Sequence, residues 1–174
     1  MSTVKATNFQ HPSSAAANIT LGSDGSVVLP AGFSGGLGTN VVQTVKTDSF
    51  STTSSSLTDV TGLAVTITPT SATSKVLVLV DLMIGSSGGG RTNFQLVRDS
   101  TEIGKSSGGL SDSTLTVVTS SDSGAFSFLD SPATTSATTY KVQMLADNQT
   151  GYVNRIAASD RRSISTITAI EVAA

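Results

Sequence analysis

Cysteine is absent from this chain of 174 residues, so disulfide bonds and thiolate metal sites are excluded. Charged residues are scarce, at 13% of the chain, where about a quarter is usual in a soluble domain. The formal net charge is −2, and the longest basic run is the pair Arg161-Arg162. Because nucleic-acid binding depends on clustered positive charge, we expect no nucleic acid among the partners.

Long apolar runs are missing as well. The longest, residues 76–80, is far shorter than the roughly 20 residues that a helix needs to cross a bilayer. Residues 1–9 lack the apolar segment of a secretory signal. We therefore expect no membrane insertion, and either a cytosolic protein or a part of a particle that is made and assembled in the cytoplasm of a host cell.

Histidine occurs once, as His11, in an irregular N-terminal segment. A Ser-His-Asp set would depend on this residue. The pattern Gly-x-Ser-x-Gly occurs at residues 32–36, 85–89 and 104–108, but no helical pattern follows any of these glycine-rich segments, so we expect no nucleophile elbow. The tripeptide Gly104-Lys-Ser106 resembles the end of a phosphate loop, but Asp99 stands where that loop needs a glycine. We therefore expect no metal site, no cofactor and no nucleophilic catalysis.

Acidic residues leave one enzymatic alternative open, because two carboxylates from separate loops can converge and cleave a glycosidic bond. The candidates mostly flank or lie in predicted strands, where a solvated or paired charge is the usual state. These acids are Asp81, Asp99, Glu102, Asp130 and Glu171. The Asp-containing segments 23–25 and 120–124 do not match the spacing of an EF-hand, so plain turns are favoured there over a bound Ca²⁺.

Serine and threonine make up roughly a third of the chain and take over much of the polar role. Threonine suits strands, whereas serine, glycine and asparagine suit turns. Short strand patterns separated by turn clusters follow one another from residue 41, and no helical period of useful length is present. The predicted strands are 41–48, 57–67, 75–84, 91–98, 101–105, 113–118, 124–130, 138–146, 151–157 and 164–172. This pattern is typical of an all-β sandwich or barrel.

Two of these strands have unusual faces. The strand 75–84 is apolar on both faces, which indicates either an ordinary central strand or a strand with one face in a subunit contact. The strand 164–172 alternates almost perfectly. Ile164, Thr166, Thr168, Ile170 and Val172 share one face, and one face of this strand should meet a core or a partner chain.

Residues 1–38 differ in composition from the rest. The apolar clusters 19–21 and 27–29 flank a Gly-Ser-Asp-Gly turn, which predicts a hairpin. Residues 9–17 have no period and should be extended or turn-rich. Four glycines within residues 32–38 predict a hinge or tight connection, so we divide the chain into an N-terminal arm, 1–38, and a β-sandwich domain, 39–174.

Three segments carry a resemblance to a known family. The opening run 2–25, the stretch 44–78 with its Val-Thr-Gly-Leu-Ala-Val-Thr-Ile-Thr-Pro motif, and the end of the chain from Tyr140-Lys-Val-Gln resemble tail-fibre-like virion proteins of phages, notably of cyanobacterial phages. The resemblance implies an antiparallel, jelly-roll-like β-sandwich similar to the heads of tumour necrosis factor and complement C1q. It also implies homotrimers with an N-terminal virion anchor.

The resemblance implies a function without catalysis: a short trimeric tail fibre on the virion, used for attachment to the host surface. The alternatives are a capsid decoration (cement) protein and, from another class, a carbohydrate-processing tail enzyme. The arm would bind other virion proteins, with anchoring candidates Phe9, His11, Pro12, Ile19 and Leu21. The loops of the sandwich would bind a host glycan or protein, with candidates Arg91, Asn93, Tyr152, Asn154 and Arg155, which border turns and are expected to be exposed.

Overall fold

The computed structural model describes residues 8–9, 19–21, 23, 27–28, 40–105, 114–117, 121–156 and 159–173. The chain forms two compact units, Met1–Gly36 and Leu37–Ala174. Every strand pairing in both units is antiparallel among these residues. The predicted all-β class is confirmed.

The first unit contains a small three-stranded sheet. Its strands are β1 (Asn8–Phe9), β2 (Ile19–Leu21) and β3 (Val27–Val28), in that order across the sheet. The pairing of β2 with β3 confirms the predicted hairpin, whereas β1 lies in a stretch for which no strand was expected. Phe9 pairs with Ile19, and Leu21 pairs with Val27. His11 and Pro12 lie outside the described residues.

Thirteen strands lie in the described residues of the second unit. They are β4 (Val41–Lys46), β5 (Phe50–Thr52), β6 (Thr58–Ile67), β7 (Lys75–Ser86), β8 (Arg91–Arg98), β9 (Thr101–Ile103), β10 (Leu115–Val117), β11 (Ser121–Asp130), β12 (Thr138–Asp147), β13 (Gly151–Val153), β14 (Arg155–Ile156), β15 (Ser159–Arg162) and β16 (Ser165–Val172).

These strands form two sheets and a short ribbon. In sheet I the main order is β4–β16–β7–β11, and β13 and β5 extend it beyond the end of β16. In sheet II the order is β6–β12–β8, with β9 and β10 sharing the edge beside β8. The first strand of this unit, β4, thus pairs with its last, β16, and the long strands β6, β7, β8, β11, β12 and β16 alternate between the two sheets, which is the jelly-roll arrangement. The ribbon consists of β14 and β15.

The core lies between the two sheets. Every second residue of β7 points into it, from Val76 to Ile84, and β12 and β8 supply the facing side chains, including Tyr140, Met144 and Phe94. Each of these side chains is almost fully buried, and burial of one such side chain stabilises a fold by about 1.5–3 kcal/mol. The chain therefore obtains a continuous core without disulfide bonds and with few aromatic residues.

Some details differ from the sequence-based expectation. The predicted strand 151–157 is divided into β13 and β14, because Asn154 has a φ of 60° and breaks the extended backbone. The strands β5 and β15 were not predicted. The bulge of β6 opposite β12 contains Gly62 at a φ of 80°, a conformation that suits glycine.

The C-terminal strand turns its less apolar face inward. Ser165, Ile167, Ala169 and Glu171 are buried, whereas Ile164 is 58% exposed and Thr166, Thr168, Ile170 and Val172 are half-buried. The more apolar face of β16 therefore belongs to the outside of the sandwich.

Candidate functional site

The outer face of sheet I carries a row of four apolar residues. Strand register aligns Val41 of β4 with Ile170 of β16, Ile170 with Leu77 of β7, and Leu77 with Leu129 of β11. Val41 and Leu129 are 55% and 47% exposed, and the other two are half-buried. Single exposed apolar residues are ordinary on a protein surface, whereas a contiguous apolar row across four strands is a candidate contact surface.

Two further rows extend this surface along the strands. In the first row Gln43, Thr168, Leu79 and Ser127 are aligned, and in the second row Val45, Thr166, Asp81 and Ala125 are aligned. We call the three rows together the outer face. The small side chains on β11 leave an open hollow of about 470 Å³ above Leu79 and Asp81. The outer face therefore has both protruding apolar side chains and a concave region, as protein interfaces often do.

Two charged side chains lie on the outer side of sheet I among the residues that the structure describes. Asp81 lies within the outer face, and Lys75 lies on the same side of β7, one step beyond the apolar row. Both side chains are exposed. The other charged residues whose side chains the structure describes have an ion pair, a hydrogen bond or a ring contact, but none is present for these two.

The outer face of sheet II has a different character. Asp59 on β6 accepts hydrogen bonds from Lys141 Nζ at 2.8 Å and Gln143 Nε2 at 2.7 Å, both on β12. The hydrogen bond from Lys141, followed by that from Gln143, lowers the pKa of Asp59 below its usual range. Thr66 and Thr139 share a hydrogen bond of 2.8 Å on the same face. These paired polar groups are typical of a solvated surface across β6 and β12, whereas Asn93, Gln95 and Val97 of β8 are buried on the same face.

Three of the five predicted loop residues lie at the surface. Arg91 is bound to Asp147 by an ion pair of 3.1 Å, at the start of β8. Tyr152 lies opposite Gly85 at the far end of sheet I, and the guanidinium carbon of Arg155 is 5.2 Å from the centre of its ring. Tyr152 and Arg155 thus form a cation–π pair, while Arg91 belongs to the adjoining turn.

The other two predicted loop residues are not exposed, which corrects the expectation from sequence. Asn93 is only 3% exposed on β8, and Asn154 is fully buried. The side-chain amide of Asn154 donates to the carbonyl oxygens of Lys46 and Asp48, and its Oδ1 accepts from Ser165. Asn154 therefore connects β16 to the bend after β4, and in the isolated sandwich domain neither asparagine can touch a receptor directly.

The acidic residues considered for glycosidase chemistry have structural partners, with the exception of Asp81. Asp130 accepts hydrogen bonds of 2.9 Å from Arg98 and of 2.7 Å from the hydroxyl of Tyr140. Burial, followed by the hydrogen bond to Asp130, raises the pKa of Tyr140 far above its usual value. Asp99 accepts from the backbone N–H of Thr139, and Glu102 pairs with Lys105.

Glu171 is buried without a cation beside it. Its carboxylate accepts hydrogen bonds from the backbone and the hydroxyl of Thr70 and from the side chain of Asn40. Burial by itself raises the pKa of Glu171, but hydrogen bonds from Thr70, Ser74 and Asn40 outweigh burial and lower this pKa to about 2. The charged carboxylate of Glu171 therefore links β16 to Asn40, just before β4, and to Thr70, just after β6.

Among the described residues, no three His, Cys, Asp or Glu side chains are grouped as metal ligands. No helix in the same residues could span a bilayer.

No family model and no curated protein matches the chain.

The sequence analysis did not predict that the residues on the outer face of sheet I form one surface. Two signals were present, the doubly apolar β7 and the apolar face of the C-terminal strand, but only the register shows that they lie side by side.

Proposed function

We propose that this protein is a non-enzymatic structural protein of a phage particle, and specifically a short trimeric tail fibre that serves attachment to the host surface. The observation that supports a structural role best is the outer face of sheet I, with its apolar row Val41, Ile170, Leu77 and Leu129. Large exposed apolar patches on otherwise polar proteins mark association surfaces. The assignment to a phage particle depends on the resemblance of the sequence to tail-fibre-like proteins.

In this proposal the outer face binds further copies of the same chain, and three copies make up the fibre head. The apolar row becomes buried, and the isolated sandwich domain corresponds to one third of the assembly. Light scattering tests this directly: at micromolar concentration the mass should be three times the chain mass of 17.6 kDa. A stable monomer at that concentration would contradict self-association.

The two ends of the fibre have separate partners in this proposal. Residues 1–38, with Phe9, His11, Pro12, Ile19 and Leu21, bind another virion protein. Removal of these residues should leave the assembly folded but prevent its incorporation into particles. Normal incorporation of the shortened protein would count against the anchor.

The recognition of a host glycan or protein is assigned to the exposed loop residues. Of the predicted set, Arg91, Tyr152 and Arg155 can make direct contacts, whereas Asn93 and Asn154 support the scaffold. Arg91→Ala and Tyr152→Ala should each reduce adsorption of particles to host cells without changing the mass of the assembly. Unchanged adsorption of both variants would exclude this end as the receptor site.

Location in the particle distinguishes a fibre from a capsid cement protein. Antibody labelling in electron micrographs should place the protein at the tail, in a few trimers per particle. Label spread over the capsid, with hundreds of chains per particle, would replace the fibre assignment by cement. Turnover of host polysaccharide that is lost on replacing one carboxylate would overturn the non-enzymatic assignment.

A further inference from the structure

We infer that Lys75 of one copy forms an ion pair with Asp81 of a neighbouring copy when the outer faces of sheet I meet. This inference rests on the self-association proposed above and adds which residues set the direction of the contact. Its occupant is a second copy of this chain, and its chemistry is one ammonium group against one carboxylate.

The first argument is the lack of intramolecular partners. Ion pairs join Lys46 to Asp48, Arg91 to Asp147, Arg98 to Asp130, Lys105 to Glu102 and Lys141 to Asp59. Asp99, Arg155 and Glu171 have hydrogen bonds or a ring contact. Among the charged side chains that the structure describes, Lys75 and Asp81 are left with neither, although five ion pairs form elsewhere.

The second argument is their placement. Lys75 and Asp81 lie on the same strand and point to the same side, with Leu77 and Leu79 between them. Six residue steps along a strand span about 20 Å. One strand therefore presents a positive end, an apolar middle and a negative end. Such a strip is complementary to itself when the positive end of one copy meets the negative end of the next.

The third argument is the cost of covering this surface. Once a second copy buries the apolar middle, water is displaced from the two charges at its ends, and a charge that is buried without a partner is strongly unfavourable. Pairing Lys75 with Asp81 of the neighbour removes this penalty for both. An arrangement that brings two Lys75 side chains or two Asp81 side chains together places like charges side by side and is unfavourable. The pair therefore selects one relative direction of the two β7 strands.

Two kinds of symmetry satisfy this rule. In a closed ring, each copy offers Lys75 to one neighbour and Asp81 to the other, which agrees with the proposed three copies. In a two-fold contact, two antiparallel β7 strands make the pair twice. The inference therefore fixes the pairing, and an experiment can identify the symmetry.

Charge reversal tests the pair. We expect Lys75→Asp and Asp81→Lys each to raise the concentration at which the assembly half-dissociates by about tenfold or more, because each places like charges together. The double variant Lys75→Asp/Asp81→Lys should return to within about threefold of the unchanged protein. Both side chains are exposed and have no ion pair or hydrogen bond, so circular dichroism should show the same fold for all variants.

A matched control lies on the other sheet. Lys141→Asp reverses a charge on the outer face of sheet II and should leave the dissociation midpoint unchanged. If the unchanged protein assembles but neither reversal at 75 or 81 weakens it, the ion pair is overturned while the proposed self-association stands. A double variant that is as weak as the two single variants also overturns the pair. A monomeric unchanged protein overturns the self-association itself.

Mixing the two single variants distinguishes a two-fold contact from a ring of three. A chain with Asp at both positions and a chain with Lys at both positions are complementary, so an alternating two-fold contact is restored fully. A ring of three cannot alternate, and one contact always remains between like charges. Restoration of assembly on mixing therefore supports the pair in a two-fold contact. Absence of restoration, with rescue in the double variant, supports the pair in a ring of three.

Discussion

The two outer faces of the sandwich differ in how their polar groups are used. On sheet II, Asp59 is hydrogen-bonded to Lys141 and Gln143, and Thr66 to Thr139, so neighbouring strands satisfy each other. On sheet I, Gln43 likewise donates to Thr168 at 2.8 Å, but the surface also carries an apolar row and two charges without an ion pair or hydrogen bond. Both sheets belong to one fold and share one core, so the jelly roll does not require this difference.

The difference indicates which surface is adapted to water. Exposed ion pairs contribute at most about 1 kcal/mol each to folding stability, so those on sheet II add little. Their exposure to water carries no cost in stability either. Under the proposed self-association, a second copy would cover the apolar row of sheet I and neutralise its two charges. The predictions below alter one side of this comparison at a time.

The largest effect is expected where the two sheets share a buried charge. Asp130→Asn removes the negative partner of Arg98 and Tyr140, and loss of one member of a buried pair should lower the free energy of unfolding by about 3 kcal/mol. Urea denaturation measures this loss. The control Asp59→Asn removes an exposed pair on sheet II and should cost less than about 1 kcal/mol. Equal losses in the two variants would contradict the contrast between buried and exposed charges.

The next effect concerns the carboxylate on the inner side of sheet I. The pKa of Glu171 is lowered from 4.5 to about 2 in the folded chain, so the charged form is stabilised by folding. This stability is present above pH 4.5 and is lost as the pH falls towards 2, by on the order of 2–3 kcal/mol. Thermal unfolding midpoints recorded across this range should fall steeply for the unchanged protein and less for Glu171→Gln. Parallel curves for the two proteins would show that Glu171 is not the titrating group.

A smaller effect is expected on association than on folding. Leu79→Arg places an unpaired charge in the middle of the outer face of sheet I and should weaken self-association by about 2 kcal/mol, a factor of roughly 30. Analytical ultracentrifugation over a concentration series measures it. Ala64→Arg introduces the same side chain at an exposed position of sheet II and serves as the control. If Ala64→Arg weakens association as much as Leu79→Arg, sheet I is not the preferred contact surface.

The smallest effect is expected at the far end of sheet I. Arg155→Ala removes the cation–π contact with Tyr152 and should lower the free energy of unfolding by about 0.5 kcal/mol, the usual worth of such a contact at a partly exposed site. Arg155→Lys keeps a cation and should retain part of the contribution. Urea denaturation resolves the difference, and a loss above about 2 kcal/mol would assign Arg155 a larger structural role.

The sequence predicts much of this fold because the inner faces of the strands follow simple alternation. The strand Arg91–Arg98 has the predicted bounds, and β7 and β16 differ by two residues or fewer. The strands that were missed are held by their neighbours. The short strand β5 pairs with β13. The strand β15 has the sequence Ser-Asp-Arg-Arg, which lacks the apolar alternation from which a strand can be predicted.

The candidate surface is harder to predict than the strands. Val41, Leu77, Leu129 and Ile170 are up to 129 positions apart, and strand register alone brings them into one row. Turn-flanking polar residues are also ambiguous, because Asn154 is as polar as Arg155 but satisfies backbone carbonyls in the interior. Sequence patterns indicate which residues alternate, whereas the partner of each face depends on the tertiary arrangement.

The hydrogen bonds between Asn40 and Glu171 bring the two ends of the sandwich domain together, and this bears on how the domain can be joined to other chains. The backbone N–H of Glu171 donates to the carbonyl of Asn40 at 2.9 Å, so the first and last strands of the jelly roll begin and finish side by side. A domain whose two ends meet can be permuted, with a short linker from residue 173 to residue 40 and new termini in the exposed turn 131–137. For the same reason the sandwich can be inserted whole into a surface loop of another protein, as an interchangeable module.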